Sequence, residues 1–253
     1  MPLIRTEIHD RVLRATLDRP GSRNAVSFAV MDELEALLDR LEEDEDLRAF
    51  VLEGTGEAFI SGGDLKEFHG LRTAEEGRAM ARRMQRLLLR LEDLPCWTLA
   101  AVSGPAYGGG CEIALAFDFR MAAEGATFGF TQGKFYLPPG WGGLTRLVER
   151  VGRPTALRWL AGAEVVKASE ALRCGLIDRL EPQEAFRETA LAWAHSLTHN
   201  DRDYIGTLKQ GALRCLPNRR ESLEQELEAF GAFWEDDRHR ERVQKFLDRR
   251  EMP

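Results

Sequence analysis

The chain has 253 residues, with 35 Lys and Arg against 42 Asp and Glu, a formal net charge of −7 at neutral pH. An acidic chain has no overall field for phosphate backbones or anionic lipid, and no local basic patch overrides that average, so no nucleic-acid or membrane partner is expected. Hydrophobic residues at 43% and charged residues at 30% are those of an ordinary globular protein, long enough to bury a core without disulfide or metal staples.

In chain order, Leu3 to Ile8 and Val12 to Leu17 alternate apolar and polar side chains about His9-Asp10-Arg11, the pattern of a β-hairpin. Ser27 then offers an N-cap, and Val30, Met31, Leu34, Leu37, Leu38 and Leu41 recur at helical spacing up to the acidic run Glu42 to Asp46. Phe50-Val51-Leu52 reads as a short buried strand, followed by a glycine-rich loop from Gly54 to Asp64. A long helix carries Met80, Met84, Leu87, Leu88 and Leu91 on one face, and Cys96 to Val102 is a further buried strand.

The stretch from Leu94 to Cys111 carries no charge and is long enough to raise a transmembrane helix, but its prolines and glycines would break one. From Gly109 the pattern predicts a helix through Ala116, a strand at Phe119-Arg120-Met121, and a loop ending Pro138-Pro139-Gly140-Trp141-Gly142-Gly143. Helices over Leu144 to Val151, Pro154 to Leu160 and Ala168 to Cys174 precede a short strand, Leu176 to Leu180. The remainder is nearly all helical in pattern. We therefore expect an α/β core over residues 1–182 and a helical C-terminal segment over 183–253.

Cys96, Cys111, Cys174 and Cys215 are widely spaced, with no CxxC pair or clustered His, and read as free buried thiols and not as metal ligands. The first ten residues lack the basic start and apolar block of a signal peptide, and a cytoplasmic protein is expected.

The chemically informative segments are Phe59-Ile60-Ser61-Gly62-Gly63-Asp64-Leu65-Lys66 and Ala106-Tyr107-Gly108-Gly109-Gly110-Cys111-Glu112. Both set glycines between a buried strand and a helix, where a backbone without Cβ can approach a ligand and outward-pointing amides favour an anion. Neither has the lysine of a phosphate-binding P-loop nor the spacing of a dinucleotide fingerprint. Taken singly, each is equally consistent with plain turn chemistry.

Together, and with further blocks in order, they resemble the crotonase family, also called the enoyl-CoA hydratase/isomerase family. Leu17-Asp18-Arg19-Pro20 with Asn24-Ala25 resembles the family's opening, Ser61 to Lys66 its first oxyanion loop, and Gly108 to Glu112 its second. Pro139-Gly140-Trp141-Gly142-Gly143 with Arg146-Leu147, Ser169-Glu170-Ala171-Leu172, Gly175-Leu176-Ile177-Asp178 and Phe246 to Arg250 resemble later blocks, so the likeness spans nearly the whole chain.

The resemblance implies a crotonase-like spiral of ββα units whose helical C-terminal region mediates assembly as a homotrimer or a hexamer, a dimer of trimers. It implies an acyl-CoA substrate, with coenzyme A as part of that substrate and no separate cofactor. The oxyanion-hole amides would be those of Gly63 and Gly109, where removing one donor typically costs about 2.7–4 kcal/mol of transition-state stabilisation. Arg23, Ser61, Leu65 and Lys66 fall where the family holds the CoA nucleotide, and Phe246 and Arg249 where a neighbouring subunit can complete that site. Tyr107 and Trp141 are candidates to wall the acyl pocket. Glu112, on the first helical turn after the glycines, matches one of two glutamates that hydratases use as acid and base; the plain alternative is a first-turn Glu facing the helix dipole.

The chain departs from the pattern 20 residues beyond Glu112, where the family's second glutamate belongs and Gln132 stands. An amide cannot exchange a proton near neutral pH, so the two-carboxylate mechanism is not available in its usual form. Lys134 is a possible substitute two residues on. Enoyl-CoA hydratase/isomerase chemistry with Glu112 as the acid–base group comes first. Decarboxylation of a 2-carboxyacyl-CoA is the alternative, because Trp141-Gly142-Gly143 with Arg146 to Glu149 is similar to decarboxylase members of the ethylmalonyl-CoA type, and a neutral Gln132 with Thr131 could orient a departing carboxylate. A binding protein that kept the fold and lost the chemistry is the third.

Overall fold

A computed structural model describes residues 2–251, with side chains from Pro2 to Arg249. Strands β1 (Ile4–His9) and β2 (Val12–Leu17) form the expected hairpin, with Ile4 opposite Leu17 and His9 opposite Val12. Asp10 turns it at a φ of 53°, a left-handed conformation that Asp tolerates better than most residues. Helix α1 (Phe28–Glu43) starts at Ser27, whose hydroxyl accepts the Val30 N–H at 3.3 Å.

Strand β3 (Ala49–Gly54) leads through the glycine loop to the short α2 (Leu65–Phe68) and the long α3 (Ala74–Asp93). Strands β4 (Trp97–Val102) and β5 (Ala106–Tyr107) precede α4 (Gly109–Leu115), β6 (Phe119–Ala123) and β7 (Thr127–Gly129). A 3-10 helix at Thr131–Phe135 leads to α5 (Gly143–Gly162), β8 (Val165–Lys167), α6 (Ala168–Arg173) and β9 (Arg179–Glu181). The chain ends in α7 (Phe186–Ser196), α8 (Arg202–Arg214), α9 (Arg219–Trp234) and α10 (Asp237–Glu251).

Six strands form the main sheet in the order β1-β2-β3-β4-β6-β9, antiparallel only between β1 and β2. Helical crossovers between parallel strands cover both faces, which is why β3 and β4 read as near-continuous apolar runs. Leu13, Phe50, Leu52, Ala100 and Ala122 point to the face that α1 and α3 help to close. Val12, Val51, Leu99, Ala101 and Met121 point to the other, where α7 lays Phe186, Ala190, Trp193 and Ala194. The first helix beyond residue 182 is thus the cover of the sheet's second face. A smaller sheet, β5-β7-β8, stands beside the two glycine loops.

Several expected elements differ in detail. The strand expected from Leu176 begins at Arg179, because the Leu176 and Ile177 amides both close back onto Ala171 O and the Leu176 carbonyl is taken by the buried Arg120 Nε at 2.7 Å. β7 and β8, three residues each, are too short for alternation to announce them. The two helices expected over 144–160 are present within α5, which kinks between them at Gly152, whose φ of 74° and ψ of 157° are not helical. Cys96 and Cys111 are buried as expected, but Cys174 is half-buried and Cys215, just past α8, is exposed. Among the described residues no helix is long and apolar enough to cross a membrane.

Trp193 is the anchor of α7, its ring 5.5 Å from Phe119 and 4.5 Å beneath the Arg179 guanidinium. Trp193→Ala is expected to lower the unfolding free energy by about 3 kcal/mol, the usual range for a large aromatic removed from a core, read by urea denaturation; a loss within experimental error would mean that α7 does not close the sheet.

Candidate active site

The two glycine loops are stitched together before any ligand is considered. Tyr107 N donates to Ile60 O at 3.0 Å, and Ile60 pairs with Ala106 in an isolated parallel bridge. The approach is so close that a Cβ on Gly110 would lie 2.0 Å from Ile60 O, which excludes every residue but glycine there. On the first loop, Val26 N donates to Gly62 O and Asp64 N to Val26 O, both at 2.8 Å. That pairing turns the intervening Gly63 N–H away from the bridge. On the second, Gly108 O accepts from Cys111 N and Glu112 N as α4 begins, so Gly109 N lies in the unsatisfied first turn. Neither the Gly63 nor the Gly109 amide has an acceptor among the described residues.

Both amides border a cavity of about 100 Å³. Gly63, Gly109, Glu112, Thr131 and Gln132 form its polar end. Met80, Leu137, Phe230 and Trp234 close the apolar end, the Phe68 ring packs against Gly63, and the Trp141 ring packs so tightly over Gly109 that a Cβ there would meet it at 2.1 Å.

Glu112 is 3% exposed and carries three N–H donors: Gln132 Nε2 on Oε1 at 2.9 Å, and Trp141 N and Gly143 N on Oε2 at 2.7 and 2.9 Å. These favour the ionised form, but burial, with the charge of nearby Glu226 behind it, outweighs them and pushes the carboxyl up to about 7. A carboxylic acid that titrates near neutrality is suited to take and return a proton. Trp141 is held in turn by Arg146, whose Nη1 donates to Trp141 O at 2.9 Å while Nε and Nη2 form a fork on Glu92 at 2.9 and 2.8 Å.

The structure brings Ser61, Gly63, Leu65, Gly109, Glu112, Gln132 and Trp141 together on this cavity. Gln132 faces it; Lys134 is exposed and does not line it. Tyr107 is a correction. Its backbone belongs to the loop, but its ring lies over Gly129 with the hydroxyl 3.1 Å from Thr127 Oγ1, and it walls no part of the cavity. Arg23 is exposed, with its carbonyl accepting the Ser61 N–H at 3.1 Å, and Lys66 is exposed on α2. Arg249 is exposed on α10. Phe246, half-buried on α10, packs edge-on against this chain's own Phe135, which lines the cavity, with ring centroids 5.3 Å apart. The reason is that α10 folds back over the 3-10 helix, with His239 Nδ1 donating to Phe135 O at 2.8 Å and Arg242 Nη1 to Gly133 O at 2.9 Å.

Sequence reasoning missed the apolar end and Glu226. Glu226, Phe230 and Trp234 recur every four residues on α9, a visible stripe, but nothing local says that it faces a glycine loop far earlier in the chain.

The family described as enoyl-CoA hydratase/isomerase matches residues 7–253. The chain belongs to that family. A short-chain-enoyl-CoA hydratase of Clostridium acetobutylicum is 32% identical over 248 residues, 97% of this chain and 95% of that protein. An ethylmalonyl-CoA decarboxylase of Xenopus laevis is 32% identical over 228 residues, 89% of this chain and 76% of that protein. The crystal structure of an enoyl-CoA hydratase from Bacillus anthracis superposes with a TM-score of 0.81 at 29% identity, covering 98% of this chain and 96% of that one. The fold is the crotonase fold, and the chain is an enzyme of the enoyl-CoA hydratase/isomerase family.

The raised pKa of Glu112 has a sign for stability. The folded protein holds the proton more tightly than the unfolded chain, whose Glu ionises near 4.5, so stability falls as pH rises from there to about 7. Glu112→Gln removes that penalty, and its melting temperature relative to the parent is expected to be a few degrees more favourable at pH 8 than at pH 5. Equal differences at the two pH values, in paired thermal melts, would show that Glu112 is not buried as an acid.

Proposed function

We propose that this enzyme adds water to short 2-enoyl-CoA thioesters, with Glu112 as its one acid–base group. The observation that carries the reading is the buried, near-neutral carboxyl of Glu112 beside two glycine amides that lack acceptors. The thioester oxygen accepts from Gly63 N and Gly109 N, which stabilise it as enolate charge develops. A water gives one hydrogen to Glu112, its oxygen bonds to the β carbon, and the electron pair of the double bond moves to the thioester oxygen. Glu112 then returns the proton to the α carbon, so one carboxyl serves both halves and ends as it began.

Gln132 takes the place of the second acid as a holder of that water. Its Nε2 gives one of its two hydrogens to Glu112, and its buried Oε1 has no partner among the described residues, so the group it leaves unsatisfied is an acceptor. A water hydrogen satisfies that acceptor, and a departing carboxylate does not. This weighs against decarboxylation, whose support is the Xenopus laevis relative. Against a non-catalytic binding protein stands Glu112, since burying an acid with no cation of its own is unfavourable without a use for it.

Coenzyme A enters as part of the substrate, with no further cofactor. Arg23, Lys66 and Arg249 are exposed and without ion pairs among the described residues, which suits them to its phosphates, with Ser61 beside Arg23 and Leu65 beside Lys66. The apolar end, closed by Phe230 and Trp234, favours a short acyl group.

Loss of conjugated-thioester absorbance with a four-carbon 2-enoyl-CoA is the test. Glu112→Gln is expected to lower kcat by about 10²–10⁴-fold while CoA still binds, and Gln132→Ala by about tenfold for one lost hydrogen bond. Because the base must be ionised, kcat/KM is expected to rise as pH passes through about 7. A wild type that binds CoA without consuming the enoyl thioester sinks this reading, and carbon dioxide released from a 2-carboxyacyl-CoA would replace it. Product mass separates hydration from double-bond migration.

The working particle in this reading is a homotrimer or a dimer of trimers. Tyr204 and Leu208 on α8, 50% and 46% exposed, support an apolar contact between copies. Light scattering is expected to give three or six times the chain mass of 28.6 kDa; a stable monomer would refute it.

A further inference from the structure

Two buried carboxylates meet at the start of α5. Gly143 N and Trp141 N donate to Glu112, and the next two amides, Leu144 N and Thr145 N, donate to Glu226 at 3.1 and 3.0 Å, with Thr145 Oγ1 adding a third bond at 3.1 Å. Glu112 comes from α4 and Glu226 from α9, and each is at most 5% exposed. One helix N-terminus is therefore shared by two acids from opposite sides, where one would satisfy it.

The charges around them balance without the pair. Arg146 on α5 forks onto Glu92 of α3, and Arg219 on α9 bridges Glu92 and Glu149. Two arginines and two glutamates neutralise one another, and Gln132, the side chain facing Glu112 from the 3-10 helix, is uncharged. Glu112 is left with no cation of its own, and Glu226 with only the attraction of Arg146, which is already forked onto Glu92, so ionising both carboxyls together is unfavourable. Burial raises both carboxyls, and the charge of Glu226 raises Glu112 further.

We propose that Glu226 is a positioning residue: it grips the α5 N-terminus that grips Glu112, and its charge sets the pH at which Glu112 takes up and releases its proton. The inference rests on the reading of Glu112 as the acid–base group. It makes α9, which also supplies Phe230 and Trp234 to the cavity, a working part of the site.

In Glu226→Gln the neighbouring charge is gone, Glu112 ionises more readily, and the acid limb of kcat/KM is expected to move about one unit to lower pH. Glu226→Asp keeps the charge, so its limb is expected to stay near the parent's even if kcat falls. Thr145→Val is a second route should Glu226→Gln not fold. Without that hydroxyl Glu226 keeps its proton more readily, and the limb moves the same way by less. A limb unmoved in folded Glu226→Gln, or a loss of rate equal at every pH, overturns the proposal. Infrared difference spectra of the unliganded protein between pH 6 and pH 8 read the same titration without turnover. The protonated-carboxyl band that Glu112→Gln removes is expected to lose about two fifths of its amplitude in that window in Glu226→Gln, and a band left unchanged overturns the proposal even if no enoyl thioester is consumed.

Discussion

A carboxyl that must stay dry and still exchange a proton needs donors to hold it and no cation to trap it ionised. Glu112 meets both conditions with backbone and amide N–H groups: Trp141, Gly143 and Gln132. An arginine in their place would pull its pKa well below neutrality and end its proposed use as a base. The requirement explains why so many parts of the chain converge at one point. Helix α4 presents the residue, the 3-10 helix brings Gln132, and the loop into α5 brings two amides that Arg146 and Glu226 hold in position.

The sheet serves that convergence. With both faces of β2, β3, β4 and β6 buried, the strands cannot slip in register without exposing apolar side chains, so the loops at their ends are fixed in relative height. The Ile60–Ala106 bridge then sets the two glycine loops side by side. Preorganisation of the Gly63 and Gly109 amides is therefore a property of strand pairing, and needs no ligand to draw them together.

Much of this was legible in the sequence for reasons that are local. Ser27 before an apolar stripe at 3.6 spacing announces α1, and glycines between a buried strand and a helix mark the two loops whose amides line the cavity. Glu112 and Gln132 were identifiable because ordered motifs place them. What stayed hidden is non-local. Tyr107 sits in the right loop, yet the pleat of β5 sends its ring over Gly129. Phe246 was readable as a site residue, but whose site it joins depends on how α10 folds back. Glu226 looks like any acidic residue on a charged helix until α9 is packed against α5, and burial in the tertiary structure is what changes its meaning.

The replacement of the family's second glutamate by Gln132 and the presence of Glu226 are connected by charge. Gln132 Nε2 lies 2.9 Å from Glu112 Oε1, and a carboxylate there would face Glu112 across a hydrogen-bond distance. With Glu226 already on the opposite side and no free cation nearby, three acids would share one buried volume, and mutual repulsion would keep at least one protonated throughout the working pH range. A neutral Gln132 avoids that conflict. It leaves Glu112 and Glu226 as the two buried acids at the start of α5, and it supplies one donor to Glu112 and one acceptor to the cavity. In the proposed mechanism the second carboxyl acts from behind Glu112 through the helix they share, and the side facing the substrate is left to a group that orients without titrating.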